Sequence, residues 1–197
     1  MALDFRPGEQ YVIRKKLLKL FGAAFYVYDP RQQVVAFCNQ KAFRLREDIR
    51  LYTSDAKTEE LLVMKARSII DFGATYDVTL PTGELLGSLR RRGLTSSFVR
   101  DSWLVFDRQG REIARLEELG GFLAFARRYV ELVAIFSPQS YALVRHGGQT
   151  IAEFRRHFNL ISSRMSISVL ADDPELDDLM VLAIGCLIAA IEGRQQA

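Results

Sequence analysis

Side chains able to carry out chemistry are few and scattered. The 197 residues contain two histidines, His146 and His157, and two cysteines, Cys38 and Cys186. Neither histidine stands at metal-ligand spacing from a cysteine or a second histidine. The cysteines are too far apart in sequence to form a zinc-finger spacing, and two alone make no disulfide framework. Cys186 sits in an apolar run and reads as a small buried hydrophobe rather than a nucleophile. A Gly-x-Ser-x-Gly elbow, a P-loop, a Gly-x-Gly-x-x-Gly turn and a His-Glu-x-x-His helix are all absent. The expectation is a protein that is not an enzyme, with no catalytic residue, no metal and no cofactor.

Two charged constellations remain. Asp172, Asp173, Glu175, Asp177 and Asp178 offer hard oxygen ligands of the kind a divalent cation takes. They lack EF-hand spacing, however, and a helix start explains them: a carboxylate cap, Pro174 at the first helical position, and acids where the helix dipole favours them. The basic constellation is Arg14, Lys16, Arg44, Arg46, Lys65, Arg67, Arg90 and Arg92, with Lys15 and Lys41 nearby. Such residues can bind a phosphorylated headgroup or an anionic membrane surface; the competing reading is a solvated surface. Period-two alternation puts Arg90 and Arg92 on one face and Arg91 on the other. The net charge is +3, distributed as +6 over residues 1–100 and −3 over the rest, a modest asymmetry. No motif interleaves aromatics with these charges, so nucleic acid is not an expected partner.

The elements that position these residues read mostly as strands. Candidates are Tyr11–Leu20, Phe25–Tyr28, Val34–Cys38, Ala42–Arg46, Ile49–Thr53, Leu61–Arg67, Thr75–Leu80, Glu84–Arg90, Val99–Phe106, Glu112–Leu116, Tyr141–Arg145, Thr150–Phe154 and Ser166–Leu170. Turn chemistry separates them at Asp29-Pro30, Pro81-Thr82-Gly83, Asp107 to Gly110 and His146-Gly147-Gly148-Gln149. Leu62, Met64 and Ala66 oppose Lys65 and Arg67, which predicts one buried face and one wet, basic face. Between Leu119 and Phe136 the apolar spacing turns helical, predicting an exterior helix.

Leu179–Ile191 is thirteen consecutive residues without a polar side chain. It spans about 20 Å at ~1.5 Å per residue, short of the ~20 residues that cross a bilayer. A helix apolar on every face must be surrounded, and strands are the only abundant material to surround it. The expectation is mainly β: a closed antiparallel barrel of about twelve strands enclosing a hydrophobic C-terminal helix, with Leu179, Leu182, Ala183, Cys186, Leu187 and Ala190 in the core.

Several separated segments carry a resemblance: Tyr11-Val-Ile-Arg-Lys-Lys16, Tyr26-Val-Tyr-Asp29, Lys41-Ala-Phe43, Ile69-Ile-Asp-Phe72, Ala74 to Val78, Gly87 to Arg91, Arg100-Asp-Ser-Trp103, and Gly185 through Arg194. Together the chain resembles the LURP-one-related (LOR) proteins and the phospholipid scramblases, relatives of the tubby C-terminal domain. The resemblance implies a twelve-stranded barrel around a hydrophobic helix. For function it implies phospholipid or phosphoinositide headgroup binding by basic residues on the barrel. The Asp-rich calcium loop of scramblases has no counterpart, since Ser162 to Ala171 contains no carboxylate. A palmitoylated cysteine cluster and a Pro-rich tail are also missing.

These readings give an N-terminal extension (1–10), one barrel domain (11–194) and a tail (195–197). The expected protein is cytoplasmic or peripheral at a membrane, binding an anionic phospholipid surface. The alternative is a scaffold that self-associates or docks a protein partner through the 119–136 helix.

Overall fold

A computed structural model of the chain describes residues 5–15, 23–40, 48–67, 74–92, 102–119, 140–157 and 164–192. Its strands are β1 (Gln10–Lys15), β2 (Ala23–Tyr28), β3 (Val34–Gln40), β4 (Asp48–Tyr52), β5 (Glu60–Ala66), β6 (Thr75–Thr79), β7 (Leu85–Arg91), β8 (Ser102–Asp107), β9 (Glu112–Leu119), β10 (Ser140–Arg145), β11 (Thr150–His157) and β12 (Arg164–Val169). Each strand pairs antiparallel with its sequence neighbour, and β1 pairs with β12, closing an up-and-down barrel. Closure leaves no row of unpaired backbone donors and acceptors at a sheet edge. The helix, α1 (Asp178–Glu192), follows β12.

Alternation decides which side chains face inward. In β6, Tyr76 and Val78 are buried while Thr75, Asp77 and Thr79 are partly exposed; β8 repeats the pattern with Trp103, Val105 and Asp107 inside. Strand registers carry this around the wall: Ile49, Met64, Val78, Gly87 and Asp107 are successive partners from β4 to β8, on one slanting inward row.

Inside that wall α1 is buried on all sides. Leu182, Ala183 and Cys186 have no exposed surface, Leu187 and Ala190 almost none, and Leu179 is partly buried. Each large aliphatic side chain so buried contributes about 1.5–3 kcal/mol. Two glycines set how closely helix and wall approach. A Cβ on Gly185 would lie 2.7 Å from Ile167 Cδ1 and 3.0 Å from Ile13 Cδ1, so this face of α1 rests on β12 and β1. A Cβ on Gly87 of β7 would meet the Phe106 carbonyl oxygen and lie 3.0 Å from Met180 Cε, fixing the opposite side.

The two ends of the barrel differ. At the proximal end, where α1 begins, the connections are tight turns. Asp107 accepts from the amides of Gln109 and Arg111 and from Arg111 Nε. Gly147 and Gly148 both take positive φ, 143° and 92°, as the Gly-Gly turn requires. This end is plugged: Phe5 lies 4.1 Å from the Tyr11 ring and its amide donates to Asp178 Oδ2 at 2.9 Å, while Leu176 is buried. The distal end is where the odd-numbered strands finish and toward which α1 runs. The connections between strands there lie outside the described residues.

The sequence places the helix start too early. Asp173-Pro174-Glu175-Leu176 is a turn, with the Leu176 amide donating to the Asp173 carbonyl at 3.1 Å and the Glu175 amide to Asp173 Oδ1 at 3.0 Å. Pro174 is therefore not at the first helical position. Asp177 caps α1, its Oδ1 accepting from the Leu179 amide at 2.8 Å. The turn wins because it tucks Leu176 into the barrel end and pairs Arg145 with both Asp173 and Glu175. Leu119 is the last residue of β9 rather than the first of a helix; the remainder of the expected 119–136 helix, and the expected strand Ala42–Arg46, lie outside the described residues.

Gly87→Ala should cost more stability than Gly185→Ala, because the first meets a backbone carbonyl and the second only the movable tips of isoleucines. The expected loss at Gly87 is about 1–3 kcal/mol, read as the shift in urea midpoint. The reverse order would contradict the helix–wall geometry.

Candidate anion-binding surface

Antiparallel strands bring residues from opposite ends of successive sequence segments to the same end of the barrel. Among the described residues the distal halves of the strands hold Arg14, Lys15, Lys65, Arg67, Arg90, Arg91, Arg92, Arg155, Arg156 and Arg164, against Asp48, Asp77, Glu117 and Glu118, with Glu192 ending α1. The proximal strand halves, turns and helix approach hold Glu9, Asp29, Asp55, Glu59, Glu60, Glu84, Asp107, Glu112, Glu153, Asp172, Asp173, Glu175, Asp177 and Asp178, against Arg6, Arg31, Lys57, Arg108, Arg111, Arg115 and Arg145, with Arg50 at the middle of β4. The barrel is polar along its axis, with a basic distal end and an acidic proximal end.

Part of the distal charge serves the fold. Strand register puts Lys15, Arg91, Glu118 and Arg156 on the inward face of the last rung of β1, β7, β9 and β11. The last turn of α1 contains no basic residue. Cations from the wall therefore stand at the end toward which the helix carbonyls point, where positive charge is favourable. Arg91, inward, and Arg90 and Arg92, outward, divide as alternation requires.

The outward cations are the surface available to a ligand. Lys65, Arg67, Arg90 and Arg92 come together on neighbouring strands β5 and β7, separated by β6. Arg90 partners Thr75, and Arg67 donates its amide to the Thr75 carbonyl at 2.8 Å, so these two arginines flank one residue. Arg67 also grips Asp77 through two guanidinium nitrogens, at 2.8 and 2.7 Å. The hydrogen bond to Asp77 raises the Arg67 pKa, burial opposing it. Arg90 lies 4.7 Å from the Phe106 ring centroid. Lys65, Arg67, Arg90 and Arg92 are exposed.

Arg14 does not join this group. It is on β1, across the barrel, and its side chain reaches back toward the proximal end, 4.5 Å over the Tyr28 ring and 2.7 Å from Gln32 Oε1. Lys16, Arg44 and Arg46 lie outside the described residues. A second outward basic group, Arg155, His157 and Arg164 on β11 and β12, escaped sequence reading, because Arg164 is separated by a connection from the Arg155-Arg156-His157 run and joins it only through strand register.

The acidic constellation is occupied by structural duties. Asp173, Glu175, Asp177 and Asp178 make the turn, ion-pair, cap and amide contacts described above. Asp172, Asp173, Asp177 and Asp178 border a cavity of about 770 Å³ also lined by Phe5, Ile151, Val169 and Leu179. Among the described residues no group of three or more His, Cys, Asp or Glu side chains is arranged to hold a metal ion. Cys38 of β3 and Cys186 of α1 meet in the core as free, fully buried thiols. The hydrogen bond between them and burial push the Cys186 thiol well above its usual pKa. No described helix is long and apolar enough to cross a membrane.

A closed barrel wrapped on an apolar helix, with a polar charge axis, defines a helix-cored β-barrel with a basic face. The profile of the LURP-one-related family matches residues 9–189, and the chain belongs to that family. No curated protein and no solved structure matches the chain.

Neither thiol should react with a thiol reagent in the native protein, and both should react after denaturation. Native modification of either would contradict the enclosure of α1, and a colorimetric thiol count at neutral pH reads the result.

Proposed function

We propose that this LURP-one-related barrel is a non-enzymatic binding protein that docks on anionic phospholipid surfaces with its basic distal end facing the headgroups. The axial separation of charge carries the reading. An anionic surface attracts the end bearing Lys65, Arg67, Arg90 and Arg92 and repels the end bearing Asp172, Asp177 and the acidic turns, so one orientation is selected as well as binding. Each basic residue near such a surface contributes about 1 kcal/mol, and the attraction fades beyond a Debye length of ~8 Å at physiological ionic strength. Docking of this kind needs no membrane-crossing segment, and α1 stays in the barrel core. It places the protein peripherally, on the cytoplasmic leaflet where anionic lipids are concentrated. The scaffold alternative rests on residues 120–136, which lie outside the described ones.

In co-sedimentation with phosphatidylcholine vesicles containing phosphatidylserine, binding should rise with the anionic fraction and fall with added salt. Arg90→Glu with Arg92→Glu should weaken it by about thirtyfold or more, as losing two attractions worth about 1 kcal/mol each and adding repulsion implies. Binding indifferent to lipid charge, or unchanged in the double variant, would defeat the proposal.

A further inference from the structure

On β11 and β12 four outward side chains form a two-by-two block. Arg155 is the register partner of Ser166, and His157 is the partner of Arg164. Because the strands are adjacent and antiparallel, each pair stands about 4.5–5.5 Å apart at Cβ, and the two arginines sit on the diagonal at about 7–8 Å. His157 Nε2 lies 3.1 Å from Ser166 Oγ, and Ser166 Oγ donates to the Arg155 carbonyl at 3.3 Å. Ser166 is buried at 3% exposure although it faces outward, whereas Arg155, His157 and Arg164 are exposed.

Like Lys65, Arg90 and Arg92, this block carries charge that no carboxylate of the described wall balances, whereas other arginines of the wall are paired. Arg50, Arg67, Arg108, Arg111, Arg115 and Arg145 each hold a carboxylate. Among the described residues Arg155 and Arg164 have no such partner. The next residue around the wall is again basic: Arg14 is the β1 partner of Arg164. Like charges set directly opposite each other across strands destabilise a sheet. Here the Arg14 guanidinium lies instead on Tyr28 and Gln32. Among the described residues the nearest carboxylate by register on β11 and β12 is Glu153, two residues from Arg155 toward the proximal end.

We propose that Arg155, His157, Ser166 and Arg164 form a binding site for a phosphate monoester. A monoester carries about −1.5 to −2 charges near neutrality and three terminal oxygens, and two guanidinium groups, with an imidazole that Ser166 Oγ holds between them, supply donors from several directions. A phosphodiester offers one charge and two free oxygens and satisfies fewer of them. The monoester can come from a lipid headgroup or from a free phosphate compound. The site rests on the membrane reading only for the first source, and it lies four to five strands around the twelve-stranded wall from Arg90 and Arg92.

The test compares the full chain with Arg155→Gln/Arg164→Gln. One arm measures the rise in Tm with inorganic phosphate against chloride at equal ionic strength. The other measures binding to phosphatidylcholine vesicles containing phosphatidic acid or, at matched charge, phosphatidylserine. The expected results are a phosphate-dependent rise in Tm, a preference for phosphatidic acid of about tenfold, and loss of both in the variant. Removing like charges should leave the variant's own Tm no lower, separating lost binding from lost folding. Free phosphate bound by a protein that ignores both vesicles would uphold the site and defeat the membrane reading. Equal binding to both vesicles with no phosphate effect, or a variant that keeps the preference, would overturn the site and leave the membrane reading standing.

Discussion

A fifteen-residue helix with no polar face has to be taken out of water on every side, and that requirement organises this molecule. An amphipathic helix can lie on a sheet; α1 cannot, because whichever stripe faced solvent would expose Leu, Ile or Val. Only a wall that returns to its starting point shields all of it. The pairing of β1 with β12 is therefore the contact on which burial of the helix depends, and Gly185, lying against Ile13 and Ile167, places the helix backbone hard against that seam. The plug of Phe5, Tyr11 and Leu176 completes the shielding where α1 begins.

Closure has an electrostatic consequence. In an up-and-down barrel the end of one strand and the beginning of the next lie together, so two ends of opposite charge arise when cations gather late in the odd strands and acids gather in the turns that lead into them. Lys15, Arg91 and Arg156 face inward at the end toward which the helix carbonyls point. Lys65, Arg67, Arg90, Arg92, Arg155 and Arg164 face outward beside them. The same end thus serves the helix on the inside and presents positive charge on the outside.

Much of this is legible in the sequence because it is local. The alternation of Leu62, Met64 and Ala66 with Lys65 and Arg67 gives a half-buried strand directly, and the unbroken apolar run from Leu179 gives the enclosed helix and, through it, the barrel. What escapes is what closure creates. Arg14 reads as one of a set with Arg90 and Arg92, yet it sits across the barrel and lies on Tyr28; nothing near it in sequence says so. Arg155 and Arg164 are unremarkable in the chain and become neighbours only through the β11–β12 register. Cys38 and Cys186 look unrelated until the helix enters the wall. The helix start escapes for a different reason: Pro174 suits both a first helical position and a turn, and the tertiary contacts of Arg145 and Leu176 choose the turn.

The functional account stands or falls on orientation, since a basic end that does not face the lipid is merely a solvated surface. With both native cysteines buried, single cysteines can be introduced at Leu119, exposed at the distal end, and at Thr82, exposed in a proximal turn, and each labelled with an environment-sensitive fluorophore. On vesicles containing phosphatidylserine the account predicts a blue shift and protection from an aqueous quencher for the label at position 119, and none at position 82. Equal responses at the two positions, or a response at position 82 alone, would contradict it.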